Sequence, residues 1–193
     1  RTAAQYQNGH IPGSVNAPLS LWAPACNDLS LELPSDEALR DILGKSGISL
    51  ASLIVIVTRT ETDFGRADAT RVAWTCEVAG LENVAVLDGG FSKWARENRA
   101  ISTDSAGVRA LTYSGTIDRS SVASKAYVLH KIKRIIIADN RTPEDYFGIS
   151  SKSGHIKGAV NLPTPWAFTT DGTFRNKEEL RSMAAGVLGT DNS

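Results

Sequence analysis

Few side chains in this chain could carry nucleophilic or acid–base chemistry: 193 residues hold two cysteines and three histidines. Cys26 lies in Trp22-Ala23-Pro24-Ala25-Cys26-Asn27, with no neighbouring base in sequence, and reads as an incidental thiol. Cys76 recurs with Ala69, Val72, Ala73 and Ala79 at spacings of three and four. That places it on the apolar face of a helix, where a thiol is buried and inert. The pair makes neither a disulfide framework nor a metal site, and no bridge between them is expected. His10 and His155 each sit in a Gly-His-Ile segment. Both are expected to be structural, their rings hydrogen-bonded to nearby backbone rather than used as acid, base or ligand. Arg141 follows Asp139 by two residues. A buried ion pair with Asp139 or Glu144 is the simpler reading, and contact with a bound anion the other. Lys125, Lys131, Lys133 and Arg134 read as a solvated helix face.

The two histidine segments are copies of one motif. The first is Gly9-His10-Ile11-Pro12-Gly13-Ser14-Val15-Asn16, the second Gly154-His155-Ile156-Lys157-Gly158-Ala159-Val160-Asn161. Each has an Arg-Thr pair and a Tyr upstream, Arg1-Thr2 with Tyr6 and Arg141-Thr142 with Tyr146. Each has a proline just downstream, Pro18 and Pro163. Gly and Pro set the turn, and small residues let backbone pass close to backbone. Val15 and Val160 are each expected to begin a short buried strand. The spacing is too long for a solenoid period and reads as two copies of one domain.

The elements that position these loops alternate. Ser35 is placed to cap a helix over 36–44, with acids in its first turn, Leu39, Ile42 and Leu43 on one face, and Gly44 as its stop. Leu53 to Val57 is a continuous apolar run, expected to be a central parallel strand buried on both faces. A polar loop, Thr58 to Arg66, precedes the helix that carries Cys76, which Gly80 ends. Val84 to Leu87 is a second strand, closed by Asp88-Gly89-Gly90, and Ser92 to Arg99 a short helix. In the second copy a helix is expected over 120–134, an apolar strand over 135–140 that ends in Asp-Asn before Arg141, and a helix over 177–185. Alternation of this kind predicts an α/β fold with a mostly parallel sheet flanked by helices.

Composition narrows the function classes. Apolar content of 41% and charge of 22% are ordinary for a globular chain. Lys+Arg and Asp+Glu are 21 each, which gives no electrostatic case for a nucleic-acid or membrane partner. No apolar run reaches transmembrane length, and the opening residues are not expected to be a signal peptide. Arg1 begins inside a motif: Arg141 follows the apolar run Ile135-Ile136-Ile137-Ala138-Asp139-Asn140, and a similar strand is expected before Arg1. The second copy is expected to be incomplete, since nothing in it matches the Leu53–Val57 strand. The compartment stays open between cytoplasm and periplasm.

Taken together, Arg-Thr-x-x-x-Tyr, Gly-His-Ile-x-Gly-(Ser/Ala)-Val-Asn-x-Pro and Val-Leu-Asp-Gly-Gly-Phe-x-x-Trp resemble the rhodanese superfamily over nearly the whole chain. The doubled loop is similar to the tandem-domain thiosulfate sulfurtransferases. The resemblance implies two rhodanese-like domains: 1–103 without a loop cysteine, a linker at 104–112, and 113–193 as the first part of a second. It implies sulfur transfer from a small sulfur-containing anion, through a cysteine persulfide, to a thiol or cyanide acceptor or to a protein sulfur acceptor. No metal or cofactor is implied. In such a site the thiolate lies at the end of a buried strand, in a loop of inward-pointing N–H groups before a helix N-terminus. Here that position is Thr58, in a loop with two acids and no cysteine. No catalytic residue is therefore assigned within the chain, and the nucleophile is expected beyond residue 193. Arg141 and Trp166 are the candidate substrate-binding residues. Several two-domain members carry an Arg just before the aromatic of the second motif, where this chain has Asp145, which counts against thiosulfate itself as donor. The other reading is an inactive rhodanese-like binding or regulatory module. A relative of arsenate reductases or phosphatases is more distant and would also need a loop cysteine.

Overall fold

A computed structural model describes residues 1–26, 29–150 and 154–189. The chain forms two compact units, Arg1–Ser121 and Val122–Ser193.

The first unit opens with α1 (Ala3–Gln7) and α2 (Leu19–Trp22). α3 (Asp36–Lys45) starts where the sequence places it: Ser35 Oγ accepts from the Ala38 N–H at 3.2 Å, and Asp36 and Glu37 fill the first turn. Leu39, Ile42 and Leu43 are buried. Gly44 does not stop this helix but lies within it. Its role is close approach: a Cβ there would meet the Leu111 carbonyl oxygen at 2.4 Å. β1 (Ile54–Ile56) pairs in parallel with β2 (Val84–Val86), Ile54 opposite Val84. Burial on both faces is not what β1 shows, since Val55 is 59% exposed. Alternate side chains of β1 point to opposite faces, and it is Ile54 and Ile56 that pack against the core cluster.

α4 (Asp63–Val78) begins earlier than the periodicity suggests. Thr62 caps it, accepting from the Gly65 N–H at 3.1 Å, so the polar loop is shorter than 58–66. Val72, Cys76 and Ala79 join Trp22, Ile42, Leu43, Leu81 and Tyr113 in one core cluster. α5 (Gly90–Arg96) follows the Asp-Gly-Gly turn. Residues 111–119 lie along this unit. The Leu111 N–H donates to Gly44 O (3.0 Å) and the Asp118 N–H to Val78 O (2.7 Å). The buried Tyr113 hydroxyl donates to Ala79 O (2.6 Å), and Arg119 pairs with Asp36 (2.8 Å).

In the second unit α6 (Lys125–Lys131) is shorter than the expected 120–134. Ile132 turns extended at its C-terminal end and Lys133 takes a positive φ of 68°, which an α-helix excludes. The strand is Ala138–Asp139 (β3), the C-terminal part of the expected run 135–140, and pairs in parallel with β4 (Val160–Asn161). Val160 thus begins a strand as expected. Val15 does not; it lies outside every strand and is 43% exposed. α7 (Pro143–Tyr146) joins β3 to the motif loop, and a 3-10 turn spans Thr164–Ala167. α8 (Lys177–Leu188) opens on a reciprocal Asn176/Glu179 capping box.

Candidate functional site

The polar loop lies at the C-terminal end of β1, leading into the N-terminus of α4. Its shape is set by the Asp-Gly-Gly turn. The Phe91 N–H donates to Thr58 O at 2.8 Å, Thr60 Oγ1 to Gly89 O at 3.0 Å, and the Thr60 N–H to Ser92 Oγ at 3.1 Å. Gly90, at φ 55°, is required twice over: its backbone is left-handed, and a Cβ would meet Thr58 O at 2.4 Å. Arg59 and Glu61 face each other across the loop at 2.8 Å. The Arg59 hydrogen bond holds the Glu61 carboxyl down at about 2, against the opposing pull of burial. A carboxylate with its own guanidinium thus occupies the loop, which offers no thiol.

Neither cysteine substitutes for one. Cys76 is 1% exposed, and desolvation, with Glu77 adding to it, pushes its thiol up to about 12. Cys26 is free and exposed, in a short backbone bridge to Leu29. The two are not joined.

The two motif loops share their local contacts. Thr2 and Thr142 cap α1 and α7, with the Gln5 N–H at 3.2 Å and the Asp145 N–H at 3.3 Å. The Tyr6 hydroxyl donates to Ser14 O, and that of Tyr146 to Ala159 O. Arg1 donates to Gly9 O at 2.8 Å, Arg141 to Gly154 O at 2.9 Å. Both histidine rings lie against nearby backbone as expected, Nδ1 2.9 Å from Tyr6 O in one and 2.9 Å from Tyr146 O in the other.

Arg141 makes the ion pair that its sequence position suggests. Nε meets Asp139 Oδ1 at 2.9 Å and Nη2 meets Oδ2 at 2.6 Å, which holds the Asp139 carboxyl below the usual carboxylate range. Arg141, Asp139 and His155 line an open hollow of about 550 Å³ in the second unit. Trp166, 47% exposed, is not among its lining residues, so the two candidates are not brought into one pocket. A cavity of about 690 Å³ lies in the first unit, bordered by Arg1, Val15, Leu53, Val55 and the polar loop. Sequence reasoning missed Arg1 there. Its guanidinium stacks on Phe91 at 3.9 Å, and the doubled Arg-Thr and Gly-Gly-Phe motifs were the signals that could have joined them. Among the described residues no group of His, Cys, Asp and Glu side chains is gathered as a metal site, and no helix is long and apolar enough to cross a membrane.

The rhodanese-like domain family matches residues 1–97. The chain is 30% identical over 188 residues to a thiosulfate sulfurtransferase of Rattus norvegicus, covering 93% of this chain and 63% of that protein. It is 28% identical over 189 residues to a 3-mercaptopyruvate sulfurtransferase of Mus musculus, covering 93% and 62%. The chain therefore spans less than two thirds of these relatives' length. In fold it is similar to an anaerobic ergothioneine biosynthesis enzyme from Chlorobium limicola, solved with trimethyl histidine, at a TM-score of 0.78, 21% identity, and coverage of 96% and 50%. With the family matched across half the sequence, the chain belongs to the proteins with rhodanese-like domains.

Proposed function

We propose that this chain is part of a sulfurtransferase built from two rhodanese-like modules, in which the first positions and the second carries the chemistry. The observation that carries the reading is the loop after β1. It has the fold position of a persulfide loop, yet Glu61 and Arg59 pair inside it and neither thiol is near it in sequence. The nucleophile then belongs to a corresponding loop of the second module, outside residues 1–193. The similarity to thiosulfate and 3-mercaptopyruvate sulfurtransferases supports this reading. In the proposed reaction a cysteine thiolate attacks the outer sulfur of a donor such as thiosulfate. The sulfur–sulfur bond of the donor breaks, sulfite leaves with its electron pair, and a cysteine persulfide remains. A thiol or cyanide acceptor takes the terminal sulfur and returns the thiolate. Arg141 and Trp166 border the second module's site in this proposal, Arg141 as a cation for the donor anion.

The test is thiocyanate formation from thiosulfate or 3-mercaptopyruvate with cyanide, run on residues 1–193 and on the longer polypeptide. The 193-residue chain is expected at background, because the thiol at Cys76 stays protonated and buried. The longer protein is expected to turn over. Turnover by the short chain that vanishes in Cys26→Ser or Cys76→Ser would place the nucleophile inside it and overturn the proposal. Inactivity of both with several donors would overturn it in favour of a binding module.

A further inference from the structure

The second unit carries one segment whose charge is all of one sign. No acid occurs between Asp118 and Asp139, and Lys125, Lys131, Lys133 and Arg134 lie in that interval. The whole chain balances 21 Lys+Arg against 21 Asp+Glu, so the run is a local excess. The bordering acids are engaged elsewhere. Asp118 Oδ1 takes the Ser120 N–H at 2.8 Å, and the Asp139 carboxylate takes the Arg141 guanidinium at 2.9 and 2.6 Å. Among the described residues none of the four cations is in an ion pair. Lys125, Lys133 and Arg134 are exposed, and Lys131 is half-buried, its Nζ 5.9 Å from the centre of the Tyr127 ring.

An abrupt helix end shapes this segment. Ser124 Oγ caps α6, accepting from the Tyr127 N–H at 3.1 Å, and the Ile132 N–H closes the helix on Val128 O at 3.0 Å. Ile132 then turns extended, at φ −48° and ψ 133°, and Lys133 takes φ 68°. The Arg134 N–H donates to Lys131 O at 2.8 Å. These are the marks of a type II turn over 131–134, whose third place favours glycine. A glycine there would avoid the crowding that Cβ brings to a left-handed residue. The chain instead keeps a lysine, exposed and on a strained backbone. An outlier of that kind is ground for seeking a use for the side chain.

We infer that this turn is a docking surface for a short acidic segment of a partner protein, its carboxylates taken by Lys131, Lys133 and Arg134 and, further back on α6, by Lys125. At 1.5 Å of rise per residue Lys125 and Lys131 lie about 9 Å apart along the helix, the reach of about three extended residues. Arg134 can take a carboxylate with two parallel hydrogen bonds, while the lysines act as point charges. The balance of the whole chain selects the class of partner. A membrane or a nucleic acid spreads its charge well past the screening length of about 8 Å. It would bring the chain's acids under the same field as its cations. A short acidic segment meets the turn alone. The inference holds whether or not the chain takes part in sulfur transfer.

The test uses the full 193-residue chain and, beside it, the longer polypeptide. The probe is a fluorescein-labelled octapeptide that alternates glutamate and serine, titrated by anisotropy, with glutamine in place of glutamate as its control. Saturable binding is expected for the glutamate peptide only, and it should weaken as salt rises. Lys133→Gly should weaken it about two- to fivefold, the worth of one exposed ion pair, while the urea midpoint stays level or rises. Lys131→Gln, Lys133→Gly and Arg134→Gln together should weaken it at least about tenfold. Lys177→Gln removes an exposed lysine of the same unit and should leave the affinity unchanged. Equal weakening by Lys177→Gln and Lys133→Gly would reduce the effect to net charge and overturn the inference. Stronger binding to phosphatidylserine vesicles or to a single-stranded oligonucleotide than to the peptide would overturn it in favour of an extended polyanion. Binding by residues 1–193 that the longer polypeptide lacks would show the turn to be an internal surface and would overturn it as well.

Discussion

Tyr6 stacks on His10 with ring centroids 3.7 Å apart, and Tyr146 stacks on His155 at 3.8 Å. Arginine, threonine and tyrosine make matching contacts in each loop, 140 to 145 residues apart in sequence. The surroundings differ. His10 is 1% exposed, and its Nε2 lies 2.9 Å from Asp104 O, while the antiparallel bridge from His10 to Ser102 closes the loop from outside. His155 is exposed, and its described ring contacts, the stack on Tyr146 and the Nδ1 contact with Tyr146 O, are both to one neighbouring residue. Arg141 has a carboxylate partner, whereas Arg1 stacks on an aromatic ring and keeps one nitrogen unpaired. Caps, stacks and turns within about twenty residues fix the motif's shape. The burial of His10 depends on a segment far along the chain, Ser102 to Asp104.

The largest effect that would sharpen this contrast comes from the histidines. His10→Ala removes a buried ring and two contacts to carbonyl oxygens. It is expected to cost the first unit about 3 kcal/mol, a cavity plus lost hydrogen bonds. His155→Ala should cost less than about 1 kcal/mol, as exposed substitutions do. Urea denaturation of the full chain, read by amide exchange at each loop, measures both. Equal costs would mean that the loops are held by the same forces and would break the comparison.

Asp139→Asn comes next. It removes the partner of Arg141 and should cost about 1 kcal/mol, a value kept small because the arginine side chain is 38% exposed and screened. The arginine hydrogen bond lowers the Asp139 carboxyl in the folded state. As pH falls, the unfolded chain therefore takes up the proton first, near an ordinary aspartate value of about 3.9. The contribution is fully present above that value and is lost as pH falls through the lower folded one. The wild-type chain should lose this part of its stability in acid and Asp139→Asn should not. Denaturation midpoints at neutral and acidic pH give the answer, and parallel acid limbs would refute it.

Much of the fold was legible because its signals are local. Ser35 before two acids, the spacing of Val72, Cys76 and Ala79, and the doubled Gly-His-Ile all describe contacts within a few turns of chain. What was not legible depended on distant partners. Val55 looks like a central-strand residue, yet it is 59% exposed, on the face of β1 opposite to the one that Ile54 and Ile56 pack against the core. Gly44 looks like a helix stop, and it is kept small by Leu111, 67 positions away in sequence. The 120–134 segment has a helical pattern, but the extended Ile132 and the left-handed Lys133 cut it short. At the candidate site, the lack of a loop thiol was plain from sequence. The pairing of Glu61 with Arg59 was not, because the polar run 58–66 offers two acids and two arginines and no period to choose among them.

The smallest effect is expected at that pair. Glu61→Gln removes the carboxylate that sits in the loop where a persulfide domain would hold its sulfur. Its carboxyl is held at about 2 by the Arg59 hydrogen bond, aided by Ser92 and opposed by burial. The two side chains are 45% and 47% exposed, however, so solvent screens most of that interaction. The cost at neutral pH should be about 0.5 kcal/mol or less. The sign is that of any lowered acid. The contribution is present above the ordinary glutamate value of about 4.3 and fades as pH falls through the folded value. Arg59 loses its partner but stays solvated, and Thr60 and Phe91 keep the backbone of the loop tied to the Asp-Gly-Gly turn. Sulfur transfer by the longer protein should therefore stay within about twofold of wild type, under 0.5 kcal/mol in the barrier. A steady-state rate with thiosulfate and cyanide, paired with a urea midpoint, separates the two consequences. A rate loss of tenfold or more with an unchanged midpoint would show that the first loop takes part in the reaction, and the proposed division between a positioning unit and a reacting one would fail.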